Sequence, residues 1–378
     1  MNGLQPRIPP LDLLPEIELL WSEIQTAISD VIRSGQFVLG PQVRAFEAEI
    51  AEWLSVKHAV ACNSGTDALV LGLRALDIGP GDEVITTPFT FYATAEAINL
   101  VGAEPVFVDI EPRTFNIDTA QIPEALTSQT KAIVPVHLFG HAADLDPILE
   151  VARKHGLAVL EDVAQAFGGR YLGRPLGSLG NAGAFSFYPT KNLGAFGDAG
   201  LLATNDDRIA EMARKLRTHG SLTRDCNEMI GYNSRLDEIQ AAILRVKLPH
   251  VEAWNRERQR AAATYRRLLA DVEGVVPPSV EEYADHVFNQ FTVRVIGHNR
   301  DEVRTLLAES GIGTSVYYPV PVHRLPVYAD QQHDLPVAEC AARQVLSLPM
   351  GPLISNAAIG RVVDALKAAC TAEATVAA

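Results

Sequence analysis

The run Leu157-Ala158-Val159-Leu160-Glu161-Asp162, followed by Ala184-Phe185-Ser186-Phe187-Tyr188-Pro189-Thr190-Lys191-Asn192, decides how the rest of the 378-residue chain is read. The first run is apolar and ends in acid; the second ends in a single lysine beyond Tyr188-Pro189. Short, continuously apolar runs suit strands buried on both faces, so Asp162 falls at a strand tip and Lys191 just past the next strand. An acid and an amine in these places supply what pyridoxal 5′-phosphate chemistry needs, a carboxylate to keep a pyridine nitrogen protonated and an amine to hold an aldehyde. Each alone has an ordinary explanation. An acid after a strand commonly caps a helix, and a lysine is commonly a solvated charge.

A third element gives the pair weight. Asn63-Ser64-Gly65-Thr66 lies between the strand-like Ala59-Val60-Ala61-Cys62 and the helix-like run from Asp67 to Leu73. Ser64, Gly65 and Thr66, with Ser186, would present backbone N–H groups and hydroxyls to a phosphate at a helix N-terminus. Outward from there, Val84–Thr86, Pro105–Asp109, Ala132–Val136 and Leu201–Ala203 repeat the apolar pattern between helix-length amphipathic segments. Such alternation predicts an α/β fold with a mostly parallel central sheet sandwiched by helices, its ligand site beyond the carboxyl ends of the strands. From Leu236 to about Leu269 the spacing of Trp254, Ala261, Tyr265 and Leu268 turns helical. Two domains are expected, a large one over 1–250 and a smaller C-terminal α+β one over 251–378. In the second, Phe288–Val295 reads as a half-exposed strand and Asp301–Glu309 as a helix.

Composition narrows the function classes. With 32 basic against 46 acidic side chains the net charge is −14, which argues against a broad surface for nucleic acid but leaves room for one small anion pocket. The four cysteines, Cys62, Cys226, Cys340 and Cys370, show no metal-ligand spacing and read as reduced thiols. No metal is expected. With no signal pattern at the N-terminus and no apolar run of transmembrane length, a cytoplasmic protein away from membranes is expected.

At the level of motifs, the SGTDAL segment at 64–69, EDVAQAFGG at 161–169, FSFYPTKN at 185–192 and GDAG at 197–200 resemble the DegT-type nucleotide-sugar aminotransferases. The resemblance runs from Ser34-Gly35 to Leu348-Pro349. It implies the PLP-dependent transferase fold type I, that of aspartate aminotransferase, and transfer of an amino group from glutamate to a keto sugar on a nucleoside diphosphate. Lys191 would hold the cofactor and, once displaced, move a proton; Asp162 would pair with the pyridine nitrogen. Gln165 would sit near the ring hydroxyl or ring face, and Phe91 over the pyridine, with Phe89 two residues away on the same strand face. The segment Gly231–Glu238 matches the stretch that reaches the partner's cofactor phosphate, so Asn233 and Arg235 would act in trans in a homodimer with shared active sites. Tyr188, Tyr317, Tyr318 and His323 would face the sugar. They most resemble members acting on 3-keto (6-deoxy)hexoses, with 4-keto sugars as the alternative, although Tyr317-Tyr318 stands where many members carry His-Tyr.

Other readings compete. A PLP-dependent sugar dehydratase of this family has histidine where Lys191 stands. A regulatory or DNA-binding role lacks a helix-turn-helix and a basic balance, and a desulfurase lacks a suitably flanked cysteine.

Overall fold

The computed structural model describes residues 7–329 and 333–376. Apolar runs become strands near where they were expected: β1 (His58–Cys62), β2 (Glu83–Thr86), β3 (Glu104–Phe107), β4 (Thr130–Ile133), β5 (Ala158–Asp162), β8 (Ala182–Ser186) and β9 (Gly200–Thr204). Two short strands that the sequence did not announce, β6 (Arg170–Tyr171) and β7 (Arg174–Pro175), lie between β5 and β8. The seven longer strands form one sheet in the order β1-β9-β8-β5-β4-β2-β3. Strands β2, β3, β4, β5 and β8 pair in parallel, whereas β9 runs antiparallel to both its neighbours. That reversal has a local cause. A parallel return needs a long crossover, usually a helix, and no helix lies between Ser186 and Gly200.

Both sheet faces are covered. On one, α2 (Pro41–Leu54), α5 (Leu145–His155) and α7 (Glu238–Lys247) pack Phe46, Ile50, Ile148 and Leu244 against Val159, Phe185 and Leu201. On the other, α3 (Gly65–Ala75), α4 (Ala93–Leu100) and α6 (Asp207–Leu216) pack Leu69, Leu73, Ile98 and Ile209 against Val60, Leu160 and Leu202. Neighbouring residues such as Val159 and Leu160 thus enter opposite cores, which is why the strands show no polar alternation. The N-terminal helix α1 (Leu14–Ser34) lies along α7.

Helix α8 (Val251–Leu269) leaves this body with Val251 in the first core and Ala261, Tyr265 and Leu269 in a separate one. There β10 (Val275–Val276), β12 (Phe291–Val295) and β13 (Val345–Leu348) form an antiparallel sheet flanked by α9 (Arg300–Glu309) and α11 (Asn356–Val376). The pair β11 (Ala284–Asp285) joins β6 instead, and α10 (Pro336–Gln344) leads into β13. The half-exposed strand expected near Phe288–Val295 differs from the one formed: β12 is central, and Phe291, Thr292, Val293 and Val295 are buried. The polar alternate, Thr292, is buried because its hydroxyl meets Ser347 Oγ at 2.8 Å. Ile8 also packs in this C-terminal core, bridged to Ile312, so the first described residues belong with the small unit rather than with a body running from residue 1 to 250. The division near residue 250 remains a proposal for the rest of the chain. No described helix is long and apolar enough to cross a membrane.

Candidate active site

The chemistry-bearing residues gather where the strands end. Asp162 closes β5, Ser186 closes β8, Ser64 and Gly65 follow β1, and Phe91 lies in the loop after β2. Asp162 is 4% exposed. Its Oδ2 accepts from Thr94 Oγ1 at 2.8 Å, and its Oδ1 accepts the Ala164 N–H at 3.1 Å. Thr94 Oγ1 lies 3.0 Å from Thr90 Oγ1, so a hydroxyl pair formed by the first turn of α4 and the bend before it steers the acid. Burial pushes the Asp162 carboxyl above its ordinary value, against the Ala164 N–H, the Thr94 hydroxyl and the charge of Lys191.

Lys191 stands opposite. Burial lowers its amine to about 8, and the attraction of Asp162 works the other way. Its turn is tight: Lys191 N–H donates to Tyr188 O at 2.9 Å, and a Cβ on Gly194 would lie 2.4 Å from Pro189 O. A side chain at 194 would therefore force the turn open.

The phosphate corner is equally close-built. Ser64 is the N-cap of α3, accepting the Asp67 N–H at 3.1 Å while its own hydroxyl hydrogen stays available to a ligand. A Cβ on Gly65 would fall 2.6 Å from Ser186 Cβ, so only glycine lets the helix start and the end of β8 approach. The first N–H groups of a helix have no intrahelical acceptor, and beside Ser64, Thr66 and Ser186 they make a cradle for an anion. A buried acid, an amine of lowered basicity and this cradle fit pyridoxal phosphate at its ring nitrogen, aldehyde and phosphate.

The aromatic residues sort unambiguously. Residues 88–90 form bends rather than the strand expected, and Phe89, 0% exposed, lies in a core with Phe115 and Phe139. Phe91 is 60% exposed, tilted against Tyr318 at 6.3 Å, and so is the ring free to cover a ligand. Gln165 ties the units together: its Oε1 accepts the Phe139 N–H at 2.8 Å and its Nε2 donates to Tyr318 Oη at 2.8 Å. Tyr317 is part-buried beside Tyr318, and Tyr188 is exposed.

Other expected residues lie elsewhere. His323 is 2% exposed with its Nε2 3.2 Å from Glu339 Oε1, a packed position rather than a sugar-facing one. Asn233 is exposed, and Arg235 lines an open groove of about 610 Å³ with Arg214, Arg217 and Ser221. Between them Ser234 turns inward, donating to Asp67 Oδ2 at 2.6 Å. Thr90 and Thr94 were missed in the sequence. The signal was faint, a threonine one helical turn from another at the start of α4.

Fold and site together define a PLP-dependent transferase of the aspartate aminotransferase type. The model of the DegT/DnrJ/EryC1/StrS aminotransferase family matches residues 19–367, and the chain belongs to that family, whose cofactor is pyridoxal 5′-phosphate. Among similar proteins, a pleiotropic regulatory protein of Geobacillus stearothermophilus is 51% identical, covering 91% of this chain and 94% of its own. The UDP-N-acetyl-3-dehydro-α-D-glucosamine 3-aminotransferase of Acidithiobacillus ferrooxidans is 48% identical, covering 95% and 97%. The crystal structure of Streptomyces venezuelae DesV superposes with a TM-score of 0.94 at 46% identity, covering 96% of this chain and 98% of that one.

Proposed function

We propose that this aminotransferase moves an amino group from glutamate to the C3 carbonyl of a hexose carried on a nucleoside diphosphate. The observation that carries the reading is the convergence of Lys191 and Asp162 beside the Ser64–Thr66 cradle, at the carboxyl edge of the sheet. Pyridoxal phosphate, when bound, supplies an aldehyde to take up the amino group and a protonated ring to draw off electrons. Asp162 would hold the ring-nitrogen proton, with Thr94 and Ala164 keeping that carboxylate aimed, and Gln165 would lie near the ring hydroxyl or the ring face. Lys191 Nζ takes the proton from the reacting carbon and returns it; an amine near 8 is free base often enough at neutral pH to do so, unlike a solvated lysine near ~10.4. Ser64, Gly65, Thr66 and Ser186 would anchor the phosphate, and Phe91 would cover the ring.

The preference for C3 rests on the Acidithiobacillus relative, with Tyr188, Tyr317 and Tyr318 as the residues that would orient the sugar. A site whose hydroxyl donors match one ring orientation loses about 1–3 kcal/mol for each donor left unpaired in another. With His323 packed against Glu339, the tyrosines carry sugar orientation in this proposal. Incubation with glutamate and matched 3-keto and 4-keto nucleotide sugars, followed by NMR location of the new nitrogen, tests it; amination only at C4 overturns the regiochemistry.

The proposal includes a homodimer with shared sites. The inward turn of Ser234 leaves Asn233 exposed and Arg235 on an open groove, as reaching a partner's phosphate requires. Lys191→Ala subunits mixed with Asn233→Ala/Arg235→Ala subunits should regain activity through heterodimers carrying one intact site. Heterodimers without recovery would assign both residues to their own subunit. The regulatory relative favours a second reading, which an absorption spectrum lacking bound cofactor would support.

A further inference from the structure

Three buried asparagines that the proposed chemistry leaves unused sit directly behind it. Asn192, Asn255 and Asn289 are 5, 6 and 7% exposed. Asn192 follows Lys191 in the chain. Its amide donates to Asn255 Oδ1 at 2.7 Å and to Val287 O at 3.0 Å, and its Oδ1 accepts from Asn289 Nδ2 at 2.7 Å. Asn255, on α8, donates in turn to Phe167 O at 3.2 Å, in the segment that leads away from Asp162. Asn289 Nδ2 also approaches Thr190 O at 3.5 Å, just before Lys191. The loop bearing the amine and the segment following the acid are therefore joined by side-chain amides through a third element, the helix that enters the C-terminal unit.

We propose that Asn192, Asn255 and Asn289 form a positioning unit that sets the Lys191 amine against Asp162 and keeps water from it, an inference that rests on the roles proposed for those two residues. The physical case is one of satisfaction. Asn192 and Asn255 use both amide atoms, and Asn289 contributes its Nδ2 while its buried Oδ1 has no partner among the described residues. Bonds of this kind between buried amides are costly to break one at a time, so they hold one geometry where packing alone would tolerate several. The fit is close as well as polar: a Cβ on Gly168 would lie 2.2 Å from Asn255 Nδ2, so the chain after Asp162 lies hard against this amide. Lys247 Nζ holds the far side of the same turn through Gly194 O at 2.7 Å, which leaves the asparagines to fix the side nearest Lys191. Loosening the unit admits water to the amine. The burial that lowers the amine is then relieved, and its basicity climbs toward that of free lysine.

The test reads the amine and not turnover. In enzyme loaded with pyridoxamine phosphate, where Lys191 is free, the pH dependence of cyanate labelling is followed on the Lys191 peptide by mass spectrometry. Asn192→Ala and Asn255→Ala should each raise the labelling midpoint by about one pH unit, roughly tenfold in the protonation equilibrium, and the double variant by little more, as residues acting as one unit require. Asn289→Ala, which removes one donor, should raise it less and serves if the others do not fold. Thr292→Val, a buried polar loss in the C-terminal sheet, should lower stability without moving the midpoint. Midpoints unmoved in the folded asparagine variants, or shifts that add in the double, overturn the proposal. Borohydride fixation of the cofactor to a lysine other than Lys191 would instead overturn the underlying assignment, so the two failures are distinguishable.

Discussion

Two neighbouring acids on β5 divide the molecule into a region that is finished and one that is waiting. Glu161 points into the core with α5 and α7, where its two oxygens accept the Gly177, Leu179 and Gly180 N–H groups, each at 2.8 Å, and face His137 Nε2 at 3.1 Å. His137 Nδ1 accepts the Ala143 N–H at 3.0 Å, so its ring proton lies on Nε2 and is directed at Glu161. Asp162, one residue on, faces the opposite side with a hydroxyl, one N–H and a lysine whose charge is only partly secured. Both acids are buried, so burial alone does not mark function. What distinguishes them is how many partners they hold: Glu161 accepts three backbone N–H groups and staples the loop before β8, while Asp162 accepts one N–H and one hydroxyl.

Lys191→Ala should break this contrast most completely, dropping turnover below about 10⁻⁴ of wild type, the scale seen when a reacting group is removed. Borohydride should then fix no cofactor to the 185–192 segment. Residual turnover near wild type would show that another amine serves.

Asp162→Asn comes next. A carboxylate ~3 Å from a ring cation is worth about 5 kcal/mol at an effective dielectric of about 20, and losing half of that costs roughly a hundredfold in rate. Stability should move the other way. The native carboxyl holds its proton to higher pH than the unfolded one, so wild-type stability falls as pH rises above the unfolded value, and the penalty is full only above the folded one. Cofactor-free Asp162→Asn should thus melt higher than wild type at pH 7, and the gain should vanish in acid below the unfolded value near ~3.9. Near-normal turnover would reduce Asp162 to a capping acid.

Glu161→Gln should show the reverse pattern, a loss of about 3 kcal/mol in unfolding free energy because an NH₂ would face N–H donors, with turnover of the folded fraction retained. Denaturant melts beside active-site titration would read both. Thr94→Val should have the smallest effect, about 1.5 kcal/mol or roughly tenfold in kcat from one hydrogen bond to a charged group. Because that bond lowers the Asp162 pKa, its loss should move the acid limb of the kcat profile to higher pH. An unchanged limb would detach Thr94 from the acid.

Much of this was legible in the chain. Buried strands need apolar runs whatever they pack against, a phosphate corner needs small residues, and the proposed chemistry needs one acid and one amine at strand ends; these requirements are local, and β5, β8, Gly65, Asp162 and Lys191 stand where such a reading puts them. The rest depended on contacts between distant segments. Phe89 and Phe91 look alike in the sequence, and only the bends after β2 send one into the core and the other to the open site. His323 reads as a ligand until Glu339 claims its ring. Glu161 and Asp162 are chemically near-equal until the turn at 177–180 meets one and α4 the other. The sequence alone determined which groups stand at the strand ends, because strand periodicity and turn chemistry act over a few residues. Which of those groups remain free to act was decided only by the tertiary structure, because hydrogen-bonding capacity is consumed by partners that sequence separation hides.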